Sequence, residues 1–281
     1  MKKAIALLLA GIMCAGLLTA CGGSKPAATT EEEETAEGTT FTVGFDAEYP
    51  PYGYKDEETG DYTGFDLELA EELCARRGWT LKKQPIDWNS KDMEINSGAI
   101  DCLWNGMTYT GREEDYTWTE PYVDNSIVFA VNADSDIQTK ADLAGKNVVA
   151  QQESSADTAL TNDPGDGSND ENLNLCASFA SYETIADYNN AFMNMAAGVY
   201  DAIAVDIGVA QFQLAANEGK YRILDEPLSK EQYAIAFKKG NTELRDMVQE
   251  TLNEMAADGT VDKIVANYAE YNLPDMLIIG K

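Results

Sequence analysis

Apolar residues take every second position in residues 41–46, FTVGFD, and a carboxylate closes the run, which predicts a half-buried strand delivering Asp46 at its end. The period then changes. From Gly64 to about Arg77, GFDLELAEELCARR, Phe65, Leu69 and Leu73 recur every fourth position, Asp66 and Glu68 sit in the first turn, Arg76 and Arg77 in the last, and Gly78 follows. Acids at the start and bases at the end complement the helix dipole, so the stretch reads as an amphipathic helix with its stripe toward a core. Between the two, Tyr49-Pro-Pro-Tyr52 is a stiff loop that holds aromatic rings beside Asp46: an ordinary proline turn, or one wall of a side-chain pocket.

A continuous apolar run at 100–104 reads as a buried strand that stops at Asn105-Gly106, where the chain turns and leaves backbone N–H groups in need of acceptors. Thr108 and Thr110 follow, then Arg112, whose planar fork of donors suits a carboxylate. Taken alone, the stretch is equally a surface arginine beside helix-capping threonines. About one hundred residues later the design recurs: Gly98-Ala-Ile-Asp101 is echoed by Gly198-Val-Tyr-Asp201, followed by Ala-Ile-Ala-Val, Asp206 and Gly208. Two similar halves are implied. Ligand-contacting residues of α/β sheets sit just past the carboxyl ends of strands, where Arg112 and Asp206 both fall, and opposite charges there would grip the two ends of a zwitterion.

The rest of the pattern fills in the second half. Residues 127–131 read as a strand, 142–149 as a turn into another, and Ser154-Ser155 as a helix start able to bind an anion. Residues 161–174 form a polar insert without EF-hand order, expected as a loop. Ser181 is expected to cap a helix that turns Ile185, Phe192 and Met195 inward and ends at Gly198. Residues 233–237 return to the first half, and helices at 242–258 and 260–268 break at Gly259, the first packing through Leu244, Met247, Val248, Thr251, Leu252 and Met255.

Charge narrows the function. The 281 residues carry 49 acidic and 20 basic side chains, a formal net charge of −29, which lacks the basic footprint that nucleic acid demands. No histidine is present, so His-based triads, general bases and metal ligands are excluded. Cys14 and Cys21 belong to the leader discussed next; Cys74, Cys102 and Cys176 contain no C-x-x-C pair, so no zinc site is expected, and Cys74 and Cys102 are either buried thiols or partners after export.

Residues 1–3 are Met-Lys-Lys and residues 4–20 are apolar, the form of a secretory signal. At about 17 residues the run is at the lower limit for spanning a bilayer, and a plain membrane anchor is the alternative. Leu18-Thr19-Ala20-Cys21 resembles the lipobox of bacterial lipoproteins, in which the cysteine is lipidated and becomes the first mature residue. Each buried acyl methylene contributes about 0.8 kcal/mol, so two chains on Cys21 would hold the protein on the outer face of the cytoplasmic membrane, Gram-positive on this reading. Residues 21–40 then form an acidic, disordered spacer.

Four stretches in order, FDAEYPPY, GFDLELAEELC, GMTYTGR with the later WTEPY, and DAIAVD, resemble the family 3 solute-binding proteins, the amino-acid receptors of ABC importers, over about residues 41–268. The resemblance implies an α/β, two-lobed periplasmic-binding-protein-like fold of type II, each lobe a mixed, mostly parallel sheet flanked by helices and joined by two hinge strands. Residues 41–125 would form lobe 1, 126–231 lobe 2, and 232–281 the return to lobe 1. It assigns Asp46 and Tyr49 to the ligand's side chain, with Trp88 as the opposite aromatic wall. Asn105, Gly106 and Thr108 would face the carboxylate, Arg112 would pair with it, Ser154 and Ser155 would add donors, and Asp206 would accept the α-ammonium. Arg112 comes one residue sooner after GMT than the family's common spacing, and Asn105 stands where relatives carry serine or a small residue. The implied partners are a free, polar amino acid and the transmembrane permease, for a monomer with no cofactor and no metal. A cyclohexadienyl-type dehydratase and a sensory or surface lipoprotein without a transport role are the other uses of such a scaffold.

Overall fold

The structure, a computed structural model, describes residues 38–281; the expected signal, Cys21 and the spacer up to residue 37 lie outside them. The alternating segment forms β1 (Thr40–Phe45), with Phe41, Val43 and Phe45 buried. β2 (Glu48–Tyr49), β3 (Gly53–Lys55) and β4 (Tyr62–Thr63) make a small antiparallel sheet of the aromatic loop. α1 (Phe65–Arg77) occupies the expected span and stops because Gly78 turns left-handed, with φ 67°. Its start depends on Gly64: φ is 130°, and a Cβ there would lie 2.4 Å from the carbonyl oxygen of Tyr52.

β5 (Thr80–Pro85), α2 (Lys91–Ser97), β6 (Cys102–Leu103) and β7 (Thr117–Trp118) complete the first half. β6 is shorter than the apolar run, because only Cys102 and Leu103 pair on both sides, with β1 and with a strand that returns much later. β8 (Val123–Asn132) opens the second half, followed by β9 (Asn147–Gln151), α3 (Ser155–Thr161) and α4 (Asp170–Ser178). α4 corrects the expected loop: the Asn169 side chain donates to the carbonyls of Ala159 and Asn162, tying the end of the insert to α3 and letting a helix start at Asp170.

β10 (Ser181–Ile185) corrects a second expectation, since Ser181 begins a strand and caps no helix. All five of its residues pair in parallel with β9, so the chain must leave the sheet edge before a helix can form. Asp187 then caps α5 (Tyr188–Ala196), accepting from the Asn190 N–H at 2.8 Å. β11 (Ala202–Asp206), α6 (Ile207–Ala216), β12 (Tyr221–Ile223), β13 (Ser229–Tyr233) and β14 (Ala236–Phe237) follow, and α7 (Thr242–Ala257), α8 (Thr260–Val265) and α9 (Leu273–Met276) close the chain.

Two mixed sheets result, in the orders β5-β1-β6-β14-β7 and β10-β9-β11-β8-β12, with β13 also on β8. In each, the first three strands run parallel and the strands that pass between the halves pair antiparallel. The echo in the sequence is an echo in hydrogen bonds. Gly98 and Gly198 both turn left-handed at φ 79°. Asp101 then accepts from the Thr42 N–H at 2.6 Å, and Asp201 accepts from the Asn147 N–H at 2.7 Å, each pinning its strand to the neighbouring one. The second sheet is covered on both faces: Ile127, Phe129 and Val131 of β8 pack in the core with Ala156 and Leu160 of α3, while Val128 and Ala130 pack in the core with Ala191 and Phe192 of α5. Unbroken apolar runs are what such strands require.

Candidate functional site

The turn after β6 and the carboxyl ends of β9 and β11 converge on a narrow cavity with about 10 Å³ of space open to water. Nine of the ten residues expected from the sequence line it; Asp46 does not, and Gln151, which was not expected, does. Tyr49 and Trp88 supply aromatic surface, Tyr49 from β2 and Trp88 from the 3-10 turn before α2.

The turn after β6 is held from behind by an amide side chain and a buried carboxylate. Asn105 accepts from the Asp46 N–H at 2.9 Å, so it ties two strand ends together. The Gly106 N–H, expected to face a ligand, donates at 2.6 Å to Asp66, a fully buried residue of α1 that also accepts from the Tyr122 hydroxyl at 2.8 Å. Burial pushes the Asp66 carboxyl up to about 7, against the pull of these hydrogen bonds. Gly106 has φ 57°, and a Cβ would meet the rings of Tyr233 and Tyr49 at 3.0 and 3.1 Å, so only glycine passes between them. Thr110 points away from the cavity, accepting from the Gln232 N–H.

Arg112 reaches the cavity despite its early position. Its N–H donates to Tyr109 O and its carbonyl accepts from the Trp118 indole, both at 3.0 Å, which fixes the backbone. Its guanidinium contacts Met107 Sδ at 3.8 Å, and among the described residues no carboxylate lies within 4.0 Å of it.

The opposite wall departs further from expectation. Ser154 accepts from the Asp157 N–H at 3.1 Å as the cap of α3, so its hydroxyl serves the helix. α3 has only seven residues, and its aligned dipole is correspondingly small. The Ser155 and Thr108 hydroxyls, one from each half, both donate to Oε1 of Glu231, at 3.1 and 2.8 Å. A protein carboxylate therefore takes the two hydroxyls that the sequence assigned to a ligand.

Asp206, 1% exposed, accepts from Asn125 at 2.8 Å and from the Tyr233 hydroxyl at 2.5 Å. Asn125 also donates to Glu231 at 2.8 Å, and Glu231 is 8% exposed. Burial raises both carboxyls; in Glu231, burial and then the charge of Asp206 push it up to about 7. Asp46 is displaced from its expected role. Its carboxylate accepts from the Glu48 N–H at 2.9 Å and from the Gln151 amide at 2.6 Å, and burial pushes it up to about 6. The rule that found Asp206, the first polar residue after an apolar strand, also points to Gln151. Glu231 carries no such signal: SKEQY reads as an exposed polar stretch.

Two α/β halves meeting at a charged cavity between strand ends define a two-lobed solute receptor. The family model for bacterial extracellular solute-binding proteins, family 3, matches residues 41–271, and the chain belongs to that family. The L-cystine-binding protein TcyA of Bacillus subtilis (strain 168) is 26% identical over 273 residues, covering 94% of this chain and 96% of that protein. The arginine-binding extracellular protein ArtP of the same organism is 29% identical over 268 residues, covering 94% and 96%. An ancestral arginine-binding protein bound to glutamine superimposes with a TM-score of 0.71 at 31% identity, covering 82% of this chain and 97% of that one. The fold is that of the type II periplasmic binding proteins. No helix among the described residues is long and apolar enough to cross a membrane.

Proposed function

We propose that the protein is the extracytoplasmic receptor of an amino-acid ABC importer and that it binds a polar L-amino acid between its lobes. One observation carries the reading: Arg112, whose guanidinium has no carboxylate within 4.0 Å among the described residues, shares a small cavity with the buried acid Asp206. Arg112 takes the ligand's carboxylate and Asp206 its ammonium. Charge-assisted hydrogen bonds of this kind contribute roughly 1.5–3 kcal/mol each. Lobe 1 spans residues 41–125 and 232–281, and lobe 2 spans 126–231.

Closure follows from the need to satisfy both charges at once, and contacts across the cleft favour the closed form. They include Asp46 with Gln151 at 2.6 Å, Glu48 with Asn189 at 2.5 Å and Lys91 with Glu153 at 3.7 Å. The closed receptor delivers its ligand to the permease. Export ends in lipidation of Cys21 and tethering to the outer face of the cytoplasmic membrane, and the protein acts as a monomer and not as an enzyme. Relatives named for cystine and arginine, and an ancestral arginine-binding protein holding glutamine, support a polar ligand without choosing one.

A thermal-shift screen against the twenty amino acids with cystine and ornithine tests the reading. A saturable rise in Tm with at least one of them, lost in Arg112→Ala and in Asp206→Ala, is expected; no rise with any would overturn it.

A further inference from the structure

Asp206, the buried acid of the cavity wall, has a second carboxyl group beside it: Glu231, which stands outside the cavity lining and is joined to Asp206 through Asn125. Both N–H bonds of the Asn125 amide are spent on carboxylates, 2.8 Å to Asp206 and 2.8 Å to Glu231, so the two accepting oxygens lie no further apart than twice that distance. Both groups are largely shielded from water, at 1% and 8% exposure. Among the described residues neither forms a salt bridge, so no cation within 4.0 Å offsets two negative charges brought this close. Like charges at such a separation in a water-poor site cannot both ionise cheaply, and one retained proton is the ordinary outcome.

We propose that Glu231 is a second binding acid of this receptor: in the ligand-free protein it shares one proton with Asp206, and the ligand's ammonium displaces that proton on binding. The inference rests on the amino-acid reading for the ligand but not for the proton. No covalent bond changes; one carboxyl O–H dissociates, its proton passes to solvent buffer, and the ammonium supplies the compensating positive charge. Before binding, the proton relieves the repulsion. Afterwards both carboxylates are ionised, and the Thr108 and Ser155 hydroxyls on Glu231 stabilise its charge from the two sides of the cleft. The Asn125 amide oxygen, buried and without a partner among the described residues, is a further acceptor beside the pair.

The groups facing the pair limit what else can titrate. Tyr49, Tyr52, Tyr188 and Tyr233 surround it, and each is held well above its ordinary value, first by burial, so all stay neutral. Arg112 shares a wall with Glu231, and Lys230 adjoins it in the chain. Asp124 and Asp275 line an outer groove with Glu231. Asp66 lies behind Tyr52, and Asp46 titrates in the same range from the Gln151 side of the cavity. A comparison between wild type and Glu231→Gln cancels these last contributions, because the amide keeps an oxygen for the same donors and changes only the acid.

Two measurements separate the possibilities. An acid–base difference titration of ligand-free wild type against Glu231→Gln should show one more proton taken up by wild type as pH falls from about 8 to 5. Calorimetric titration with L-arginine, L-glutamine or L-cystine, whichever binds, in two buffers of different ionisation heat at pH 6.5, should show proton release in wild type and little in Glu231→Gln. Wild-type affinity should then weaken up to tenfold per pH unit on acidification below about 7, and the variant's much less. Binding with equal proton release in both proteins overturns the shared proton and leaves the amino-acid reading standing. A shared proton in the ligand-free titration without binding of any amino acid does the reverse. A ligand-free difference of zero overturns the proposal outright.

Discussion

The carboxylate of Asp46, at the end of β1, accepts a 2.6 Å hydrogen bond from the amide of Gln151, at the end of β9, and so joins the two sheets directly. A buried acid that loses one of its few donors is left less well compensated, at a cost of about 1–3 kcal/mol. Gln151→Ala should therefore shift the ligand-free protein toward an open form. Small-angle scattering checks this: a larger radius of gyration than wild type, with unchanged far-UV circular dichroism, is expected, and an identical radius contradicts it.

Asp66 acts at one remove. Its carboxylate holds the Gly106 N–H and the Tyr122 hydroxyl, and both would be left buried without partners in Asp66→Ala. A loss of roughly 2–5 kcal/mol in denaturant unfolding is expected, a large share of any domain's stability. A loss below about 1 kcal/mol would mean that water replaces the carboxylate.

Gly64→Ala should be damaging for a different reason. The backbone at φ 130° disfavours any side chain, and the new Cβ would sit 2.4 Å from a backbone oxygen that cannot rotate aside. Strain and overpacking together predict a loss of roughly 2–5 kcal/mol. The chemical-denaturation midpoint reads it, and a midpoint unchanged from wild type would show that the loop before α1 yields freely.

The pH dependence of stability follows from the same buried acids. Asp46 is raised to about 6, and Asp66 and Glu231 to about 7, so between about pH 4 and 7 the folded protein binds more protons than the unfolded chain does. Stability contributed by these groups is therefore present at low pH and lost as pH rises through that window. Asp258, held down to about 2 by Arg76, works in the opposite sense and only below about pH 4. Calorimetric Tm of the ligand-free protein should fall from pH 5 to pH 8, with a loss on the order of 6 kcal/mol in unfolding free energy. A Tm that rises over this range would contradict the assignment.

What the sequence disclosed and what it hid divide along physical lines. α1 was legible because its stripe, its end charges and Gly78 all act within the helix. The Asp101 and Asp201 echo was legible only as a repeated pattern of residue types, since the N–H groups the two aspartates hold, on Thr42 and Asn147, lie more than fifty residues away. Ser181 misled because pairing of β10 with β9, a tertiary event, overrides a local capping preference. The roles of Thr108 and Ser155 were hidden by Glu231, more than seventy residues from either, whose burial is set by packing on β13 and by no pattern in SKEQY. Residue types at strand ends revealed where the cavity is. Which donors are already engaged is decided by distant partners, and only coordinates carry that.

The central claim is that one small molecule is held by both poles, its carboxylate on Arg112 and its ammonium against Asp206. The most direct measurement is a calorimetric comparison of the amino acid that binds with two of its derivatives, the N-acetylated form and the decarboxylated amine. The account predicts that each derivative loses affinity by about a hundredfold or more, as expected when a charge-assisted pair is removed and its buried partner is stranded. Either derivative binding as tightly as the parent would contradict it.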